Sequence, residues 1–464
     1  MSEITVDQSV DNSKSNKAPL VEGSLWRAIW IMSWPLLLMT TSNSIVSIVD
    51  CQVAGKLGSI SQAAVGISEQ VVFVFMVFIM SVGVGTTAVV SRAFGAQDYE
   101  KAIKTAGQSM TLAAGIGLSL SLLSICCSKQ LMRVFAPSAE TFFLASSYLK
   151  IYSFYLIPFS VVSIISAAFR SAGDARTPLI VAITMTIINV FLDYALVCYN
   201  WPIANLGITG IAYAGVFSSL IGSLVAIACV NSSSRLKGSL SHLLPVHIVT
   251  MKHILNIGLP SGFQKLGWAM STFAVFFILK NCVSPTAAIA SWTIGMRTEG
   301  IIFMPMLALS LAVSSIVGQN LGAQQVDRAV KAGWHVTAIG FSFMLILGTA
   351  MFLGASYCAH WMSSDATTIS YTTSYLRINS LSEPLLAIGM VLSGALQGAG
   401  DTKITMWISL LSQWLIRLPL AWILAIYFKF GPPGAWIAMT ISIYCLGSLM
   451  MLRYQSKAWI KIQV

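Results

Sequence analysis

Charged residues in this chain are confined to short gaps between long apolar runs, and that arrangement limits the fold more than any other feature. Twelve such runs cover residues 27–52, 62–91, 102–127, 142–170, 178–199 and 207–230, then 252–281, 287–318, 328–356, 367–396, 403–427 and 433–453. A helix of about 20 apolar residues crosses a bilayer. Only 9% of the 464 residues are charged, against roughly 25% in an ordinary soluble domain. No polar stretch is long enough to house a soluble domain. The chain therefore reads as an all-α integral membrane protein with twelve transmembrane helices.

The net charge of +11 does not signify nucleic acid, because the cations are placed by membrane side. With the N-terminus inside, 17 Lys and Arg fall in inner loops and tails and 5 in outer loops. Such a bias sets orientation, and both termini are expected in the cytoplasm. The segments are then a tail over 1–26, a first lobe over 27–230, a cytoplasmic linker over 231–251, a second lobe over 252–453 and a tail over 454–464. A polar start followed by an apolar run does not fit a cleaved signal peptide. The eight cysteines lie in or beside apolar runs without paired spacing, so neither a disulfide framework nor a zinc site is expected.

The two lobes repeat one another. Phe94-Gly95-Ala96-Gln97 matches Leu321-Gly322-Ala323-Gln324, and Ala172-Gly173-Asp174 matches Ala399-Gly400-Asp401. The offset is 227 residues in both pairs. The matched loops fall on the same membrane side, so the lobes have parallel topology and are expected to be related by a pseudo-two-fold axis along the membrane normal. Two six-helix lobes around a cavity imply rocking transport.

Within the fifth run, Ile187-Ile188-Asn189-Val190-Phe191-Leu192-Asp193 carries an amide and a carboxylate four residues apart. On a helix both project from one face. An ionised Asp at mid-membrane costs about 2.5–3.5 kcal/mol on insertion scales. Such a residue faces a partner or a water-filled cavity, which makes Asp193 with Asn189 a candidate ion or proton site.

Several fragments then fall into a known order: Trp34-Pro35, Val49-Asp50, Val53-Ala54-Gly55-Lys56-Leu57-Gly58, Gly85-Thr86-Thr87-Ala88, Ile294-Gly295-Met296-Arg297-Thr298-Glu299, Met304-Pro305, Gly318-Gln319-Asn320-Leu321-Gly322-Ala323 and Gln397-Gly398-Ala399-Gly400-Asp401. Together they resemble the multidrug and toxic compound extrusion (MATE) family over nearly the whole chain. The resemblance implies secondary active efflux of amphipathic, often cationic organic compounds, driven by proton or sodium entry. It also implies an ion-coupling site in the N-lobe made by Asp50, Asn189 and Asp193. Two carboxyls in one low-dielectric pocket resist ionising together, which suits a proton; with Asn189 the same oxygens also suit Na⁺. Alternatively, Asp50 simply ends its helix at the outer interface.

Pro35 shares a helix with Asp50 and frees a backbone carbonyl, giving either a static kink or one that responds to Asp50. Two departures bear on the ion. Where the family often places Thr after Ala in the sixth helix, this chain has Ala214-Gly215. After Pro260, where other branches carry Glu, it has Gln264, Lys265 and Trp268. The first leans toward protons over Na⁺, and the second argues against a cation site in the C-lobe. In the second lobe the 227 offset carries Asn189 and Asp193 onto Ile416 and Leu420, next to Arg417, for which Glu383 and Glu299 are candidate ion-pair partners. Glu69, Gln264 and Arg297 complete the residues expected near a cavity. No cofactor or resident metal is expected, and the partners are small organic molecules and the lipid bilayer, with the chain a monomer in a cell inner membrane. A lipid-linked oligosaccharide flippase of the same superfamily is the alternative, since it needs a cationic cavity that Lys265, Arg297 and Arg417 could line. No nucleophile elbow, Walker loop or His/Glu metal motif supports an enzyme.

Overall fold

A computed structural model describes residues 20–135, 138–199, 206–462 and 464. Most of the expected N-terminal tail lies outside them. The described chain is helical: α1 Leu25–Lys56, α2 Ser59–Gly95, α3 Tyr99–Phe135, α4 Ala139–Tyr152, α5 Leu156–Ser171, α6 Arg176–Asp193 and α7 Ile208–Ser232. Then follow α8 Ile248–Lys280, α9 Pro285–Gly322, α10 Val326–Met362, α11 Ala366–Ser380, α12 Glu383–Gly398, α13 Thr402–Leu410, α14 Leu418–Trp422 and α15 Pro432–Gln455. Helices α4 and α5 form one span through a 3₁₀ turn at Ser153–Tyr155. Among the described residues eleven helices are long and apolar enough to span a membrane, twelve when α11 and α12 count as one. That pair, expected as a single span, bends by 54°.

The chain divides into two compact units, Met1–Leu255 with Gly318–Val326, and Asn256–Val317 with Asp327–Val464. In the first, α2 packs on α3, α4 and α5, while α6 packs on α1 and α7. One interior cluster interleaves alanines, including Ala93, Ala102, Ala106, Ala168 and Ala226, with larger apolar side chains. Large apolar side chains such as Trp30, Ile48 and Phe191 point outward. This inversion of the soluble pattern is what lipid demands, because helices gain from close backbone approach rather than from burying apolar surface. In the second unit α15 packs on α11 and α12, around a block of Trp292, Tyr375 and Trp436.

The repeat reaches down to single hydrogen bonds. After α2, Gln97 and Asp98 donate N–H groups to Phe94 O at 3.1 Å and Ala93 O at 2.9 Å. After α9, Gln324 and Gln325 donate to Leu321 O at 3.0 Å and Asn320 O at 2.8 Å. Both are Schellman caps with the turning residue left-handed, Gln97 at φ 60° and Gln324 at φ 59°. The second repeated loop does the same with glycine, Gly173 at φ 80° and Gly400 at φ 89°. Asp174 then caps α6, accepting from the Thr177 hydroxyl at 2.6 Å, whereas its counterpart Asp401 pairs with Arg453 at 2.7 Å.

The polar stretch after α7 folds back onto its own unit: Gln108 of α3 donates to His242 O at 2.7 Å and accepts from the His247 amide at 2.8 Å. The C-terminal stretch also folds back. Trp459 is fully buried and stacks on Tyr454 with centroids 4.8 Å apart.

Candidate functional site

Asp50 lies near the end of α1, and Asp193 is the last residue of α6, with Asn189 one turn before it. Because α1 runs along α6, the two acids meet although 143 positions separate them in the chain. Asp193 is 0%, Asn189 3% and Asp50 6% exposed. The two carboxyls are direct electrostatic neighbours. No other donor among the described residues reaches either Asp193 oxygen, Asp50 Oδ1 or Asn189 Oδ1, and no Lys or Arg there forms an ion pair with them. Buried acceptors without donors are rare in folded proteins. An acceptor set of this kind suits a proton or a cation.

Beyond Asp193 the helix widens to i→i+5 bonding over Tyr194–Cys198, a local π-helix of the kind that often accompanies function. It turns Tyr194 toward α1, where the Lys56 ammonium lies 5.0 Å from the ring centroid. The Tyr194 hydroxyl donates to Gln52 Oε1 at 3.5 Å.

Glu69 of α2 is an electrostatic neighbour of both acids. Beside it runs a row of rings on α4 and α5: Tyr148 to Tyr152 at 5.2 Å, Tyr152 to Tyr155 at 5.1 Å and Tyr155 to Phe159 at 5.4 Å. The Tyr148 hydroxyl is buried without a partner. Sequence reasoning passed over this ladder, although its spacing of four, three and four residues marks one helix face.

The second unit holds a different constellation. Arg417 Nε donates to Ser442 Oγ at 3.0 Å. Glu299 and Tyr375 are its electrostatic neighbours, and Glu383 neighbours Glu299. No carboxylate among the described residues comes within the 4.0 Å of an ion pair with Arg417, so the two expected partners stand near it without bonding it. The indoles of Trp292 and Trp436 stack at 5.5 Å against the ring of Tyr375. Gln264 belongs to a separate network, donating to Ser409 Oγ at 2.7 Å and accepting from Gln397 Nε2 at 3.1 Å. Arg297 is exposed. Pro35 is buried within α1, about 22 Å along the helix from Asp50 at 1.5 Å per residue.

The offset of 227 pointed to Ile416 and Leu420, but the buried row runs through Thr405, Ser409, Gln413, Arg417, Ala421 and Ala425. In a regular α-helix a spacing of four drifts about 40° per step, and six residues would wind to the far side. Two π-helical segments, Leu411–Arg417 and Ile423–Tyr427, take up that drift. They bring Arg417 inward in place of Ile416.

One family model, MatE, matches the chain twice, over residues 35–195 and 260–423. The chain belongs to the MatE family. Its two matched stretches begin at Pro35 and Pro260 and hold Asp50, Glu69, Asn189, Asp193, Glu299, Glu383 and Arg417. A "Probable multidrug resistance protein NorM" of Thermotoga maritima is 30% identical over 86% of both chains. An "Uncharacterized transporter YisQ" of Bacillus subtilis is 23% identical over 94% of this chain and 95% of that one. The fold also resembles a solved MOP superfamily transporter from Pyrococcus furiosus, with TM-score 0.89 and 22% identity over 96% of this MatE chain and 99% of the other.

Proposed function

We propose that this MatE protein is a secondary active efflux antiporter, exporting amphipathic, often cationic organic compounds across a cell inner membrane in exchange for protons. The observation that carries the reading is the Asp50–Asp193 pair, buried, adjacent and without other donors. In this reading 27–230 and 252–453 are the N- and C-lobes, both termini are cytoplasmic, and the chain works as a monomer. A shared proton satisfies the pair, with Asn189 orienting it and Glu69 adding negative potential. Losing that proton leaves two like charges in low dielectric, which drives α1 and α6 apart or draws in water or a cationic substrate. Pro35 lets α1 bend in response, since residue 31 has lost its amide donor.

Two features favour protons over Na⁺. A Cβ on Gly215 would lie 2.8 Å from Tyr152 Cε2, so an aromatic ring fills the place where a ligating Thr would stand. Two neighbouring buried carboxyls also resist ionising together, which favours one proton held between them. The flippase alternative needs net positive charge around Arg417, and Glu299 and Glu383 oppose that. The name of the Thermotoga relative supports multidrug cargo for this chain as well.

The test is drug efflux from proteoliposomes under an imposed pH gradient or an imposed Na⁺ gradient. Efflux driven by the pH gradient alone is expected. Efflux that follows Na⁺ and ignores pH would reverse the assignment of the ion.

A further inference from the structure

The repeated Gly-Ala-Gln loops are not used by the ion site, yet they meet. A Cβ on Gly95 would overlap the Gln319 carbonyl, and a Cβ on Gly322 would overlap the Arg92 carbonyl. Both pairs lie within the first unit, which takes in Gly318–Val326. Residue 92 corresponds to 319 and residue 95 to 322 under the repeat offset, so the contact is reciprocal, each helix end giving a glycine and receiving a carbonyl. Helix α2 presents Ser91 and Gly95 four residues apart, and α9 presents Gly318 and Gly322. This small-residue spacing lets two helix backbones touch in a membrane protein.

What separates a permanent joint from one that opens is what parting leaves unsatisfied. Here the backbone of each helix end is closed by local bonds. The final carbonyls of α2 are capped by Gln97 and Asp98, and those of α9 by Gln324 and Gln325. The next helix start is also closed locally, with the Lys101 amide donating to Asp98 Oδ1 at 3.0 Å. Side-chain bonds at the joint include Gln319 Nε2 donating to Ser171 O at 2.6 Å and Asn320 Nδ2 donating to Leu20 O at 3.3 Å. Leu20 lies just before the Ser24 cap of α1, the helix that carries Asp50. A cleft of about 430 Å³ lined by Val21, Glu22, Gln97 and Gln324 opens directly onto the crossing.

We infer that the α2–α9 glycine crossing is the cytoplasmic closure of the transporter, parting in each cycle, with the Leu20–Asn320 bond as the tie through which α1 acts on it. This rests on the transporter reading above. Ser91 supplies the reporter, being fully buried and one turn from Gly95 on the same face. Ser91→Cys protein in inside-out vesicles is treated with a membrane-impermeant maleimide, and labelling is followed on the peptide holding residue 91, so that native cysteines do not interfere.

Labelling is expected under an imposed pH gradient, with a rate that rises about tenfold in Gly95→Ala, whose methyl wedges the crossing. If Gly95→Ala does not reach the membrane, Gly322→Ala wedges it from the other side. Vesicles that extrude ethidium while residue 91 stays unlabelled would overturn the closure. Labelling that responds in vesicles that extrude nothing would support the closure and count against the efflux reading instead.

Discussion

Replacing Asp193 with Asn separates coupling from packing. In the native pair, two full charges about 4 Å apart at an effective dielectric of 20 would repel by about 4 kcal/mol. No cation among the described residues offsets that repulsion by an ion pair. Asn has nearly the same shape, cannot ionise, and brings an amide that can donate to Asp50 Oδ1, a buried acceptor without a donor. A hydrogen bond to a charged group contributes roughly 1.5–3 kcal/mol. Stability should therefore hold or rise.

Transport should vanish. One proton moving down 100 mV supplies about 2.3 kcal/mol, and tenfold accumulation of a drug takes about 1.4 kcal/mol. Native protein exchanging one proton for a neutral drug could thus sustain a roughly fortyfold gradient. A monovalent cation such as ethidium exchanges without net charge, so one pH unit, about 1.4 kcal/mol, sustains about tenfold. Asp193→Asn sustains none in either case. Proteoliposomes loaded with ethidium under matched gradients measure the accumulation, and thermal unfolding in detergent measures stability. A native-sized gradient with Asp193→Asn would refute the coupling role. Lost transport together with a large drop in melting temperature would instead make Asp193 a packing residue.

Gly215→Thr restores the family's hydroxyl but collides with Tyr152, so it should lower stability by about 1–3 kcal/mol without making efflux depend on Na⁺ in the gradient assay. Gln324→Gly and Gln97→Gly each relieve a left-handed side chain and should raise stability by up to about 1 kcal/mol; similar gains at both sites in thermal unfolding would confirm equivalent caps. Trp436→Ala opens a void beneath Trp292 and Tyr375, and the expected loss is about 3–5 kcal/mol. A smaller loss would mean that the block collapses to fill it.

Spans, the repeat and the meeting of Asp50 with Asn189 and Asp193 were legible in the sequence for separable reasons. Length and apolarity mark a span locally. The repeat shows because its loops need residues with special backbone geometry, and Gly173 and Gly400 keep it. Asp193 showed through cost, since a carboxyl in an apolar run needs a reason, whereas Asp50 joined it through the family resemblance. The bend between α11 and α12 was hidden, because Glu383 and Pro384 at a helix start look no different from residues inside a continuous run. The tyrosine ladder was hidden for the opposite reason: aromatic residues are cheap in a membrane, so their spacing alone drew no notice.

Arg417 shows where a fixed offset stops working. Loops in the two halves stay 227 residues apart through Gly400, only 17 positions before Arg417. Between them the helix turns π-helical, and one extra residue per widened turn moves the inward face from Ile416 to Arg417. In the first half the π-segment comes after Asp193, so Asn189 and Asp193 keep the register of an ordinary helix. The second half has a matching segment after Arg417, at Ile423–Tyr427, and adds one that precedes and includes it, Leu411–Arg417. A segment only after the inward-facing position leaves two acids facing a tyrosine row. The added segment before it selects a guanidinium beside Glu299 and Tyr375. A register shift of one residue is enough to give two repeated scaffolds different charged groups at their buried polar centres, without any change in the loops that identify them as repeats.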